Sequence, residues 1–129
     1  MHSYENKELD EDVLSFMRML DLNTQSLGQD NIRVLLDSNR VILACAFIEY
    51  GEKQSEIFVF GVGKDHQGLG IGKYFAEKVL NELKESRCCT VVVDPINEVA
   101  LMFWVKMGFN PIPDLYNNLG YPKLNLKLN

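Results

Sequence analysis

A chain of 129 residues with 47% hydrophobic content suits one domain, residues 1–129, around one core, and leaves no room for a second. No stretch approaches the roughly 18 apolar residues of a membrane-crossing helix, and Met1-His2-Ser3-Tyr4-Glu5-Asn6 lacks the charged and apolar regions of a secretion signal, so the expectation is an intracellular protein, cytoplasmic or nuclear, with no membrane partner. A net charge of -5 argues against direct nucleic-acid binding and mildly for a cationic partner, such as a Lys-rich peptide or a polyamine.

Val13, Leu14, Phe16, Met17 and Leu20 recur at helical spacing, so residues 10–20 predict a core-packing helix whose acidic start suits a first turn. Residues 24–31 are polar and read as a loop or a short second helix. Ile32 to Leu36 and Val41 to Tyr50 are rich in strand formers and joined by the turn signal Asp37-Ser38-Asn39-Arg40. Gly51-Glu52-Lys53-Gln54 then turns the chain into a strand from Glu56 to Val62. Beyond a glycine-rich segment, Phe75, Ala76, Val79, Leu80 and Leu83 mark a helix ending near Ser86. The run Thr90-Val91-Val92-Val93 reads as a strand buried on both faces, ended by Asp94-Pro95. Val99, Ala100, Phe103, Trp104 and Met107 form another helical stripe, stopped by Gly108. Phe109 to Ile112 and Tyr121 to Leu128 complete the pattern as strands. The order predicts an α/β domain with one parallel pair flanking the glycine segment, because a helical crossover joins its two strands. Three cysteines, Cys45, Cys88 and Cys89, have no metal-like spacing and read as buried reduced thiols, with no metal site.

The glycine segment is Asp65-His66-Gln67-Gly68-Leu69-Gly70-Ile71-Gly72-Lys73. Glycines let a phosphate approach the main chain, and a helix starting near Gly72 adds N–H donors and a partial positive charge. A P-loop needs four residues before Gly-Lys and then Ser or Thr; from Gly68 there are only three, and Tyr74 follows. A dinucleotide fingerprint needs glycines at steps of two and three with a later acidic residue; the steps here are two and two. Gln67, Gly70 and Gly72 instead meet Gln/Arg-x-x-Gly-x-Gly/Ala, and Asn97-x-x-Ala100-x-x-x-Trp104-x-x-x-Gly108-Phe109 meets Asn-x-x-Ala-x-x-x-Tyr-x-x-x-Gly-Phe except at Trp104.

These two motifs, in this order, resemble the GNAT (Gcn5-related) N-acetyltransferases over residues 32–128. The resemblance implies a mixed, mostly antiparallel sheet with a splayed parallel strand pair and flanking helices. It also implies acetyl-coenzyme A as acetyl donor, its pantetheine paired with the backbone near Phe60, Gly61 and Val62 and its pyrophosphate held by amides from Gln67 through Gly68, Leu69, Gly70, Ile71 and Gly72 to Lys73. Lys73 adds charge or is a solvated helix residue. Asn97 reads as a helix cap, and the family motif adds a contact to the pantetheine. Phe103 and Trp104 are expected beside the same arm. The usual general-acid tyrosine is replaced by Trp104, whose indole N–H cannot be released near neutral pH.

Acyl transfer to an amine requires the free base, and a lysine with pKa near 10.4 is only about 0.1% neutral near pH 7.4, a cost of roughly 4 kcal/mol. A carboxylate with raised pKa can take that proton. Glu56 is the first candidate, since Glu56-Ile57-Phe58-Val59-Phe60, eleven positions before Gln67, resembles the strand of the histone-lysine branch that carries its catalytic glutamate. Glu49 is held in reserve. Tyr50, Tyr116 and Tyr121 are possible proton donors to the thiolate, and His66 reads as a loop residue facing solvent or phosphate. Gly61 and Gly63 are expected to permit a strand bulge. The expected activity is direct transfer to a primary amine, with a Lys-containing protein or peptide leading, a histone tail included. A small-molecule amine, a protein N-terminus and a binding module that has lost transfer are the alternatives. Oligomeric state is not readable.

Overall fold

The computed structural model describes residues 2–22, 31–68 and 70–128. The element expected over residues 24–31 therefore lies outside the described residues, Asn31 excepted, and so does Leu69. Ten elements follow in order: β1 (Ser3–Lys7), α1 (Glu11–Met19), β2 (Ile32–Leu36), β3 (Ile42–Glu49), β4 (Gln54–Val62), α2 (Ile71–Glu85), β5 (Thr90–Val93), α3 (Glu98–Lys106), β6 (Asn110–Tyr116) and β7 (Pro122–Lys127). A short 3₁₀ turn, Lys64–His66, links β4 to the glycine segment. The strands form one sheet in the order β1-β2-β3-β4-β5-β7-β6, in which β4 and β5 alone run parallel. The expected mixed sheet with one parallel pair is observed.

Strand β1 was not expected from the sequence. Ser3-Tyr4-Glu5-Asn6-Lys7 carries one apolar side chain, so it lacks the alternation that betrays a half-buried strand. As an edge strand it needs little burial: it pairs with β2, and Tyr4 packs on Phe75 with ring centroids 5.8 Å apart.

The two faces of the sheet are covered differently. Helix α1 starts where Asp10 caps it, its carboxylate accepting the Val13 N–H at 3.1 Å. It buries Val13, Phe16 and Met17 against Val34, Cys45 and Phe47. On the other face α2 buries all five expected residues, Phe75, Ala76, Val79, Leu80 and Leu83, and α3 packs beside it. Val91, Val92 and Val93 are all buried, as a central strand covered on both faces requires. The α3 stripe is shifted from expectation: Val99 is 80% exposed, and Trp104 is the fully buried member. Cys45 and Cys88 are buried thiols, but Cys89 is exposed. Among the described residues no helix is long and apolar enough to cross a membrane, and no group of three His, Cys, Asp or Glu could hold a metal ion.

A polar bolt ties α2 to the β1 side of the sheet. Arg33, only 7% exposed, donates to the Glu82 carboxylate at 2.7 and 2.9 Å, and Tyr4 and Tyr50 donate their hydroxyls to it at 2.7 and 2.6 Å. Burial works against the charged form of Glu82, yet these hydrogen bonds outweigh it and hold the carboxyl down at about 2. Glu82→Ala leaves the Arg33 guanidinium uncompensated and is expected to lower stability by about 2 kcal/mol at neutral pH, less than a fully buried pair because Glu82 is partly solvated. A depressed carboxylate stabilises above its ordinary value of 4.5 and loses that contribution as pH falls toward 2, so urea titrations of wild type and variant should converge over that window.

Candidate functional site

The site is a gap between the parallel strands. Strand β4 stays paired with β3 as far as Val62↔Ala44, but its pairing with β5 stops at Ile57↔Val93. From Phe58 to Val62 the strand therefore has β3 on one side and, among the described residues, no strand on the other. Alternate N–H and C=O groups of that stretch point away from β3 into the gap, where an extended ligand can add like a strand. Two features open it. β5 is four residues long and ends at Asp94-Pro95, where proline supplies no ladder donor. In β4 the register jumps from Phe47↔Val59 to Ile48↔Ile57, making Phe58 a bulged residue.

The bulge thus falls at Phe58 and not at Gly61 or Gly63. Gly61 serves packing instead: a Cβ there would come within 2.8 Å of Leu20 and 2.9 Å of Leu22, the segment leaving α1. The Gly63 N–H continues the ladder to the Leu43 carbonyl at 2.8 Å.

At the far end of the gap lies the glycine segment. Gly68 and Gly70 have φ of +83° and +79°, the left-handed region, and a Cβ on either would meet nothing within 4 Å. These positions leave the backbone bare over open space, the geometry that admits a phosphate to main-chain amides. Helix α2 begins at Ile71, one residue earlier than the sequence suggests, and its first ladder bond runs from the Tyr74 N–H to the Gly70 carbonyl at 3.0 Å. The N–H groups of Ile71, Gly72 and Lys73 belong to that first turn, whose N–H groups lie before the helical ladder begins. Gly72 has a second reason to be glycine, because a Cβ would press at 3.3 Å on both Val62 and Phe103, where the helix crosses the strand. Gln67 is exposed, and its side-chain amide donates to the Val62 carbonyl at 3.0 Å, buckling the segment back onto the end of β4. His66 is half-buried, its ring beside Gly63.

The wall on the α3 side is aromatic. Phe60, Phe103, Trp104 and Phe109 pack in sequence, with Phe60 to Phe103 at 5.4 Å, Phe60 to Trp104 at 4.9 Å and Trp104 to Phe109 at 5.1 Å. Trp104 is 4% exposed, whereas Phe60 and Phe103 are half-buried and keep surface free. The indole supports the wall from behind. Asn97, an exposed residue, caps α3, its side-chain oxygen accepting the Ala100 N–H at 2.8 Å.

Glu56 stands near the mouth of the gap on the opposite face, third in β4 and not its first residue. It is paired across from Glu49 on β3 and from Val92 on β5. Partial burial raises its carboxyl above the usual value; Lys123 pulls the other way, and the negative charges of Asp94 and Glu49 reinforce the rise. Half-buried among these charges, it holds a proton more readily than a free carboxylate does. Glu49 is exposed at the strand end. Tyr50 is removed from contention as a proton donor: its hydroxyl donates to Glu82 on the α2 face, and burial and that bond push it up to about 12. Tyr116 is 66% exposed and Tyr121 half-buried.

The sequence reading missed Asp94 and Lys123, which set the field at Glu56. Asp94 was read only as a strand stop. The alternation of β7, with Leu124 and Leu126 facing the core, puts Lys123 on the Glu56 face, so a signal for the lysine was present.

The sequence model of the acetyltransferase (GNAT) family matches residues 4–109. No curated protein matches the chain in sequence. Among solved structures, a candidate acyl-CoA N-acyltransferase from Klebsiella pneumoniae superposes with a TM-score of 0.83 at 13% identity, covering 100% of this chain and 99% of that one. The ribosomal-protein-S18-alanine N-acetyltransferase of Escherichia coli gives 0.72 at 15% identity, covering 99% and 94%. The AtaT toxin, bound to the C-terminus of the antitoxin AtaR and to acetyl-CoA, gives 0.73 at 18% identity, covering 98% and 93%. At such identities the likeness is one of fold.

Proposed function

The chain belongs to the GNAT acetyltransferase family, enzymes that take acetyl from acetyl-coenzyme A, and from that premise we propose that it acetylates a primary amine on a protein lysine. The donor supplies an activated thioester carbonyl. The bare backbone at Gly68 and Gly70 and the first-turn amides Ile71 to Lys73 suit its pyrophosphate, with Lys73 adding charge. The main chain of Phe60, Gly61 and Val62 suits the pantetheine, and a fixed N–H there stabilises charge on the thioester oxygen. Phe60 and Phe103 offer apolar surface to the arm, and Asn97 a polar contact. Trp104 has no proton to give near neutral pH, and a thiolate leaves without one.

One observation carries the acceptor class. Glu56 is a half-buried carboxylate with raised proton affinity, set between Asp94 and Glu49 with Lys123 as the facing cation. Three carboxylates around one lysine favour a cationic acceptor, and the central one can accept the proton an ammonium must lose. The direct test is release of coenzyme A from acetyl-coenzyme A against an amine panel. A lysine peptide with a blocked N-terminus is expected to accelerate release most. Faster turnover with polyamines, or with a peptide whose only amine is its N-terminus, would reassign the acceptor, and no acceleration by any amine would indicate a binding module.

A further inference from the structure

The side chain of Asn117 uses every hydrogen-bonding position it has. Its oxygen accepts the N–H groups of Leu119 and Tyr121, both at 3.0 Å, and its nitrogen donates to the Asp94 carboxylate and to the Pro95 carbonyl, both at 2.6 Å. The backbone of the same residue closes the turn between β6 and β7, donating to the Tyr121 carbonyl at 2.8 Å and accepting the Gly120 N–H at 3.0 Å. One residue therefore both folds the turn and fastens it to the end of β5.

What it fastens is an irregular piece of strand. Between the pairs Pro111↔Leu124 and Tyr116↔Pro122, the four residues Ile112 to Leu115 stand opposite the single residue Lys123. Asp114 in that excursion has φ of +59°, and Pro111 and Pro113 supply no ladder N–H, so little in the ladder itself holds the segment. The turn is fastened at Asp94 and the excursion stands opposite Lys123, and both residues act on Glu56. The excursion and its turn are consequently joined to the neighbourhood of Glu56.

We propose that Asn117 is a positioning residue for the acceptor: it clamps the β6 excursion and the β6–β7 turn onto the end of β5, and in doing so holds the Asp94 carboxylate beside Glu56. The clamp's role at the mouth rests on the reading of Glu56 as the base. Among the described residues the charged groups facing Glu56 are Lys123 from β7, Asp94 beyond β5 and Glu49 from β3, and the clamp acts on one of the three.

The test compares wild type, Asn117→Ala and Asp94→Asn in steady-state acetylation of a lysine peptide. In Asn117→Ala the KM for the peptide is expected to rise about tenfold or more while the thermal shift given by acetyl-coenzyme A is unchanged, because the cradle lies at the other end of the gap. Asp94→Asn keeps an oxygen for Asn117 but removes the charge, so the fold should hold while the low-pH limb of kcat/KM moves to lower pH. An unchanged peptide KM in folded Asn117→Ala, or an unmoved limb in Asp94→Asn while Glu56→Gln abolishes that limb, would overturn the clamp. If Glu56→Gln itself leaves the limb in place, it is the assignment of the base that fails.

Discussion

Glu56→Gln is expected to lower the acetylation rate by about 100-fold or more while leaving affinity for acetyl-coenzyme A intact. The amide fills the same space but cannot accept the ammonium proton. Wild-type kcat/KM should rise with pH along a limb centred above the ordinary carboxylate value of 4.5, because burial, Asp94 and Glu49 outweigh Lys123. In the variant that limb should vanish, and the residual rate should climb only as the amine deprotonates in bulk water, recovering part of the loss at high pH. Stability supplies an independent sign. A carboxyl raised on folding favours the folded state only below its ordinary value, and that contribution disappears as pH rises, so Glu56→Gln should be at least as stable as wild type at pH 7. Trp104→Phe should behave in the opposite way, losing less than about tenfold in rate while lowering the melting temperature, since its ring is 4% exposed among Phe60, Phe103 and Phe109. PH–rate profiles and melting curves of both variants check these expectations; an unchanged rate in Glu56→Gln would move the role of base to Glu49.

Acetyl-coenzyme A at 100 times its Kd should stabilise the protein by about 2.7 kcal/mol, and Gly70→Asp should remove that gain. An aspartate there sets a Cβ and a negative charge into the open space above the first-turn amides, against a dianionic pyrophosphate. The substitution also forces a side chain onto a left-handed backbone, so the apparent loss needs a control. Gly120→Asp provides it: Gly120 has φ of +86° and equally open surroundings, but sits in the β6–β7 turn. Both variants should melt somewhat lower, at a cost of about 1 kcal/mol each, and only Gly70→Asp should lose the ligand shift. Differential scanning measurements with and without millimolar acetyl-coenzyme A decide it; a normal shift in Gly70→Asp would place the pyrophosphate elsewhere.

Local patterns were legible because their causes are local. Helix α2 was readable from five apolar residues at 3.6-residue spacing, all of which are buried, and β5 from an unbroken β-branched run. The bare backbone of the glycine segment was readable because a left-handed φ and an absent Cβ are properties of the residue itself, and Asn97 was readable as a cap because the cap bonds only three residues ahead. Where the cause was a distant neighbour, the reading fell short. β1 owes its place to Phe75 and Glu82, about 70 residues away in a chain whose first segment is polar. The bulge went to Phe58 because the register of β3 against β4 is settled by which faces α1 and α2 cover, and Gly61 turned out to accommodate Leu20 and Leu22.

The sequence by itself indicated, in order, nine of the ten described elements and the one parallel pair, consequences of periodicity and connection length, while the family resemblance singled out Glu56 as the carboxylate to watch. Tertiary structure alone decided that carboxylate's chemistry. Glu56 is raised by burial and by Asp94 and Glu49 against Lys123, groups brought together from the end of β5, from β3 and from β7, while Tyr50 is drawn to the opposite face by Glu82. Proton affinity is a sum of fields and desolvation over everything within several ångströms, so it exists only once the sheet has put those strands side by side.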